Sequence, residues 1–245
     1  MRAEREAQAA AAAAAERRKR RLWQVGATLV VAAALVGAAI AISTSSEDEP
    51  AKPPVETRRL LAGIPQRGVE LGRAEAPVTM VEFADLQCPF CREYAVGAFP
   101  ELVRRYVRAG KVKMVFRSLA FLGPDSEKAA RVAAAAGLQN KLWDVVDRFY
   151  QQQGRENSGW VTNAFVERLG RQVPGLDLER ALAARDTPAV TSQLRQADAQ
   201  AKALGVSSTP TFYLQKGTGK PEELDVSSFD VSEFARRIDA ALGSG

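Results

Sequence analysis

Both cysteines of the chain fall in one tetrapeptide, Cys88-Pro89-Phe90-Cys91, shortly after the strand-like run Val78-Thr79-Met80-Val81-Glu82-Phe83. The Cys-x-x-Cys spacing lets one sulfur attack the other, which points to disulfide exchange or to a plain disulfide. If a helix starts after Cys88, unpaired N–H groups and the helix dipole favour a thiolate there, and a thiolate is the form that exchanges disulfides. Pro89 suits the opening of such a helix, where the N–H it lacks has no intrahelical partner. A purely structural bridge is weakly motivated, because closing a four-residue loop removes little chain entropy.

The chain has no histidine. Imidazole bases, Ser/His/Asp and Cys/His nucleophile pairs and histidine-containing metal sites are therefore excluded, and two cysteines supply only half of an all-cysteine zinc site. No metal and no cofactor are expected. Of 34 Lys/Arg and 29 Asp/Glu, seven and three fall within residues 1–21, so the remainder is nearly neutral. Nucleic-acid binding has no electrostatic footprint beyond that segment.

Residues 22–42 carry no charge and are long enough, at about 1.5 Å per helical residue, to cross the roughly 30 Å hydrocarbon core. Arg17-Arg18-Lys19-Arg20-Arg21 precedes this stretch and Glu47-Asp48-Glu49 follows it. The positive-inside rule then predicts a cytoplasmic basic segment 1–21, a single-pass anchor 22–42 in the cytoplasmic membrane, and an extracytoplasmic or periplasmic remainder. Trp23 fits an interfacial anchor. A cleaved signal peptide is the competing reading, since Ala39-Ile40-Ala41 resembles an A-x-A site, but the stretch exceeds the usual signal core. Residues 43–64, rich in Ser, Pro and charge, read as a linker, and the folded domain is expected over 65–245.

Within that domain the pattern predicts an α/β order. The strand 78–83 leads into the cysteines and a helix whose inward stripe is Phe99, Leu102, Val103 and Tyr106, with a break near Gly97 and Pro100. Gly110 ends that helix. Lys111 to Arg117 reads as a strand parallel to the first. A helical block over about 124–205 carries the stripes Leu142, Val145, Val146, Phe149, Tyr150 and Val190, Leu194, Ala197, Ala201, Leu204. Thr187-Pro188 opens its last helix and Gly205 closes it. Strands at Thr211 to Leu214 and Leu224 to Val226, then a helix marked by Phe234, Ile238 and Leu242, complete βαβ, helical block, ββα.

With CPFC after the first strand and Gly205-Val206-Ser207-Ser208-Thr209-Pro210-Thr211-Phe212 before the third, residues 68–242 resemble the thioredoxin superfamily. More narrowly they resemble the DsbA-like thiol–disulfide oxidoreductases, whose thioredoxin fold is interrupted by a helical insertion. The resemblance implies that Cys88 is the exposed nucleophile that forms a mixed disulfide with a client. It implies that Cys91 is the buried thiol that resolves it, the two forming a redox-active disulfide. It also makes Pro210 a cis-proline beside the site, with the backbone of Thr209 available to an extended peptide. Glu82, at the position of the family's buried acid, would have its pKa raised by burial and would accept the proton of Cys91. An exposed strand face is the alternative for Glu82, and an ordinary turn that for Thr209-Pro210.

Phe90 departs from the best-known DsbA motif, which has histidine before the second cysteine. Phenylalanine offers no cationic or hydrogen-bonding ring, so the Cys88 pKa is expected above the value of about 3.5 for DsbA and nearer the value of about 7 for thioredoxin. The leading function is oxidation of exported clients, with reoxidation by a membrane partner of the DsbB or VKOR type. A reductase or isomerase using the same pair is the alternative, and an anchored chaperone or binding module is the non-enzymatic one.

Overall fold

The computed structural model describes residues 60–243. The predicted basic segment, the anchor 22–42 and most of the linker lie outside them; among the described residues no helix is long and apolar enough to cross a membrane.

The chain opens with a short hairpin, β1 (Gln66–Arg67) and β2 (Glu70–Leu71), followed by β3 (Val78–Ala84) and α1 (Pro89–Val96). Next come α2 (Ala98–Leu102), a π-helical segment Val103–Val107, and β4 (Val112–Ser118). The helical insertion holds α3 (Pro124–Gly137), α4 (Leu142–Gln151), α5 (Asn163–Gly170), α6 (Leu178–Ala184) and α7 (Pro188–Leu204). β5 (Thr211–Lys216), β6 (Glu222–Glu223) and α8 (Val231–Leu242) close the fold. The mixed sheet runs β1-β2-β4-β3-β5-β6, with β3 and β4 parallel and the other pairs antiparallel. This is a thioredoxin fold carrying a helical insertion.

β3 lies centrally, and both of its faces are covered. Val78, Met80 and Ala84 enter the larger core with α1, α2, α4 and α8, whereas Val81 and Phe83 pack with Val115, Leu119, Tyr213 and the inward residues Ala197 and Ala201 of α7. Period-2 alternation puts Glu82 on the face of Met80, inside the larger core. Tyr94 of α1 is the hub of that face, its ring 4.6 Å from Phe212 of β5 and 5.2 Å from Phe234 of α8.

The expected helix break falls at Gly97, whose N–H is bonded to the carbonyl of Glu93 and whose backbone departs from helical values. Pro100 then stands in the first turn of α2, where its missing N–H leaves no gap. The π-helical segment keeps Val103, Tyr106 and Val107 buried; Arg108 N–H reaches back five residues to the Val103 carbonyl. Gly205 caps α7 at φ +73°, a left-handed conformation that glycine adopts without a Cβ clash.

Three boundaries depart from the sequence-based expectations. The linker was expected to reach residue 64, yet Leu60, Leu61 and Ile64 are buried, and the Arg108 guanidinium bonds to the carbonyls of Leu60 and Ala62. The fold therefore takes in residues ahead of 65. The partner strand expected at Leu224 to Val226 pairs instead at Glu222–Glu223, because Leu224 turns into the core. The hairpin β1–β2 was not anticipated, since two-residue strands carry no readable alternation.

Candidate active site

Cys88 is the N-cap of α1, in extended conformation, and Pro89 takes the first helical position. Its sulfur accepts a hydrogen bond from the Cys91 N–H at 3.4 Å, while its thiol donates to the carbonyl oxygen of Thr209 at 3.3 Å. The Cys88 pKa falls from 9.0 to about 6. The chief cause is the hydrogen bond from the Cys91 side chain; burial opposes it, and the Thr209 side chain and the N–H groups of Cys91 and Phe90 add to the lowering. This value lies above that of about 3.5 for DsbA and near that of about 7 for thioredoxin.

Cys91 lies one turn further into α1 and is fully buried. Burial pushes its thiol well above 9.0, and the neighbouring Cys88 and Glu82 push it further. Both thiols are free. The two sulfurs are thus chemically unequal: one is acidic and at the helix tip, the other is basic and enclosed.

Glu82 is buried, 3% exposed, and one of its carboxyl oxygens, Oε1, has no hydrogen-bond partner. Burial raises its pKa from 4.5 to about 8. The Tyr94 hydroxyl, from α1, is likewise buried without a partner. Both residues line a cavity of about 10 Å³ on this side of the sheet.

The loop between β3 and α1 is held by Asp85, which the sequence reading did not single out. Its Oδ1 accepts from the Gln87 N–H at 2.8 Å and the Ser126 hydroxyl at 2.6 Å, and its Oδ2 from the Leu122 N–H at 3.0 Å. The Asp85 carbonyl accepts from the Cys88 N–H and from the Tyr150 hydroxyl. The Gln87 amide reaches the Leu122 carbonyl, Ser126 and Asn157, and the Gln153 amide donates to the carbonyls of Leu86 and Cys88. The helical insertion therefore fixes the approach to the cysteines from three segments. A hint was present in the sequence: Asp85 and Gln87 are polar residues between Phe83, Ala84, Leu86 and Cys88.

The Thr209–Pro210 peptide bond is cis and stands directly across from Cys88. The structure thus brings Cys88, Cys91, Pro89, Thr209 and Pro210 to one end of the sheet, with Glu82 beneath. One expectation about exposure changes. Cys88 is only 4% exposed, because Thr209 closes over its sulfur, and Pro89 and Phe90 are the exposed residues of the motif, Phe90 at 60%. The Phe90 ring offers neither sulfur a polar atom, and Phe121 is a second exposed aromatic, lining a cleft of about 680 Å³ with Leu122 and Asn157. Among the described residues no group of three or more Cys, Asp or Glu side chains is arranged to hold a metal ion.

The thioredoxin family model matches residues 66–225. The chain is 29% identical over 155 residues to the probable disulfide bond formation protein D of Bacillus anthracis, covering 62% of this chain and 71% of that one. Oxidised BdbD of Bacillus subtilis superposes with a TM-score of 0.63 at 25% identity, over 74% of this chain and 97% of that one. A thioredoxin-like oxidoreductase from Silicibacter pomeroyi gives a TM-score of 0.58 at 30% identity, over 72% and 92%.

Proposed function

The chain belongs to the thioredoxin family and is a DsbA-like protein thiol–disulfide oxidoreductase, and from that premise we propose that it is an oxidase of exported proteins. In this reading a Cys88–Cys91 disulfide is passed to reduced clients outside the cytoplasmic membrane, to which residues 22–42 tether the enzyme. The observation that carries it is the inequality of the two sulfurs: Cys88 caps α1 and is hydrogen-bonded by Cys91, which lowers its pKa to about 6, whereas Cys91 is fully buried within α1, which raises its thiol well above 9.0.

A client thiolate attacks the sulfur of Cys88. The bond between Cys88 and Cys91 breaks, its electron pair leaves on the Cys91 sulfur, and that basic sulfur takes a proton. Glu82, with a pKa of about 8, is mostly protonated at neutral pH and is the donor within the core. A second client thiolate then attacks the client sulfur of the mixed disulfide, and Cys88 departs as a stabilised thiolate. Two electrons have passed from the client to the pair, which ends as Cys88 thiolate and Cys91 thiol. Stabilising the thiolate favours the reduced enzyme, which makes its disulfide the stronger oxidant.

The backbone of Thr209 serves an extended client segment, and Phe90 and Phe121 offer it apolar contact. Reoxidation falls to a membrane partner of the DsbB or VKOR type. The test is the redox state of Cys88 and Cys91 in intact cells, trapped by rapid alkylation. A pair found mostly as disulfide supports the oxidase; a pair found mostly as dithiol supports a reductase fed by a membrane electron carrier.

A further inference from the structure

We propose that Asp147 is the proton outlet of the active site, a relay residue linking buried Glu82 to a surface cleft through one water in the cavity that both carboxyl groups line. The inference rests on the reading of Glu82 as proton partner of Cys91. Cys91 has no exposed surface and Glu82 almost none, so a proton exchanged between them needs a route to solvent. The small cavity beside Glu82 is bounded by Glu82, Tyr94, Tyr150 and Asp147, and otherwise by apolar side chains such as Phe99 and Trp143. Its volume of about 10 Å³ is close to that needed for one water. Oε1 of Glu82 and the Tyr94 hydroxyl, both without protein partners, are on hand to hold that water.

On its outer side Asp147 lines a separate cleft of about 390 Å³, with Gln66, Lys141 and Asp144. Among the described residues it is the one that lines both the cavity of Glu82 and this cleft. The groups facing it are Glu82 from β3, Tyr94 from α1, Lys141 ahead of α4, and Asp144, Arg148, Tyr150 and Gln151 of α4 itself. The Gln151 amide donates to Oδ1 of Asp147 at 2.8 Å, and the Gln66 amide to Asp144. Burial raises Asp147 to about 7, opposed by Arg148 and Gln151 and reinforced by Asp144. Two carboxyl groups near 7 and 8 can trade a proton at neutral pH with little driving force lost either way.

When the disulfide opens on a client thiolate, Glu82 gives its proton to the Cys91 sulfur. The cavity water passes a proton to the Glu82 carboxylate and takes one from Asp147, which is reprotonated from the cleft. In the reverse reaction each transfer runs backward.

The experiment is stopped-flow reduction of the oxidised protein by dithiothreitol from pH 5 to 9, for wild type, Asp147→Asn, Asp147→Glu and Glu82→Gln, with melting temperatures alongside. Asp147→Asn should be slowed about tenfold at pH 7. Its rate should recover on adding imidazole as a small diffusible acid, and Asp147→Glu should keep most of the rate. A Glu82→Gln protein that is slowed beside an Asp147→Asn protein matching wild type in rate and pH profile would sink the outlet alone. Glu82→Gln matching wild type would sink the reading of Glu82 itself, and the outlet with it. A slowed Asp147→Asn protein with no recovery in imidazole would show a structural role instead and would also overturn the proposal.

Discussion

The thiol of Cys88 and the carbonyl oxygen of Thr209 meet at 3.3 Å across 121 positions of sequence. The contact joins the tip of α1 to the entry of β5, and therefore joins the βαβ half of the fold to the ββα half at the Cys88 sulfur. It also sets up a change of state. As a thiol, Cys88 donates to Thr209; as a thiolate it can only accept, and the Cys91 thiol, the Thr209 side chain and the N–H groups of Cys91 and Phe90 are then its partners.

Alkylation of the reduced protein by iodoacetamide should therefore titrate Cys88 with a midpoint near pH 6, while Cys91 stays unmodified. The same shift makes the reduced fold pH-dependent. Because the folded pKa lies below the unfolded value of 9.0, the unfolded chain binds more protons between about 6 and 9, and stability rises with pH across that window. The contribution is complete above 9.0 and is lost as pH falls through 6. Urea denaturation of reduced wild type and Cys88→Ala should diverge as pH rises from 6 to 9, and parallel curves would contradict the shift.

Glu82 gives the opposite sign. Its folded pKa of about 8 exceeds the unfolded 4.5, so stability is greatest below 4.5 and is lost as pH rises toward 8. At pH 7 the loss is on the order of 3 kcal/mol. Glu82→Gln removes the titration, so its stability relative to wild type should climb between pH 4.5 and 8, while its rate of disulfide exchange falls by about tenfold or more. Denaturant midpoints at pH 4.5 and 8 check this. A stability difference that stays constant between those pH values would mean that Glu82 is not held neutral by burial.

The order of elements around the cysteines was legible because each carries a strong local signal. Val78 to Phe83 is β-branched and aromatic, Pro89 and Gly97 punctuate α1, and Thr187-Pro188 and Gly205 bracket α7. Glu82 was legible as an acid interrupting an apolar strand. Asp85 and Asp147 were not, for different reasons. The partners of Asp85, Leu122 and Ser126, lie 37 and 41 positions away, a distance that no local pattern reports. Asp147 sits among the charged residues of an ordinary amphipathic helix, and only the packing of α4 against β3 and α1 brings it beside the cavity of Glu82.

Asp85 tests how far the insertion supports the site. Asp85→Ala leaves the N–H groups of Gln87 and Leu122 and the Ser126 hydroxyl without their acceptor, at a cost of about 3 kcal/mol for the bonds lost. The melting temperature should drop by about 6–12 °C for a domain of this size. The Cys88 alkylation midpoint should move upward as the helix tip loosens. An unchanged midpoint beside the lowered melting temperature would confine Asp85 to stability.

Phe90 bears on how readily Cys88 ionises. It is 60% exposed and its ring carries no polar atom, so Cys88 ionises with the help of Cys91, Thr209 and the backbone N–H groups of Cys91 and Phe90. Phe90→His would place a ring N–H, or a cation, next to that thiolate, at a stability change within about 0.5 kcal/mol for so exposed a position. The alkylation midpoint should fall from about 6 to about 5 or lower. At pH 7 one unit of further ionisation stabilises the dithiol form roughly tenfold, so equilibration with glutathione should shift toward reduced enzyme by that factor. If neither the midpoint nor the equilibrium moves, the ring at position 90 does not reach the thiolate, and the potential of the pair is set by the helix tip and the Thr209 loop.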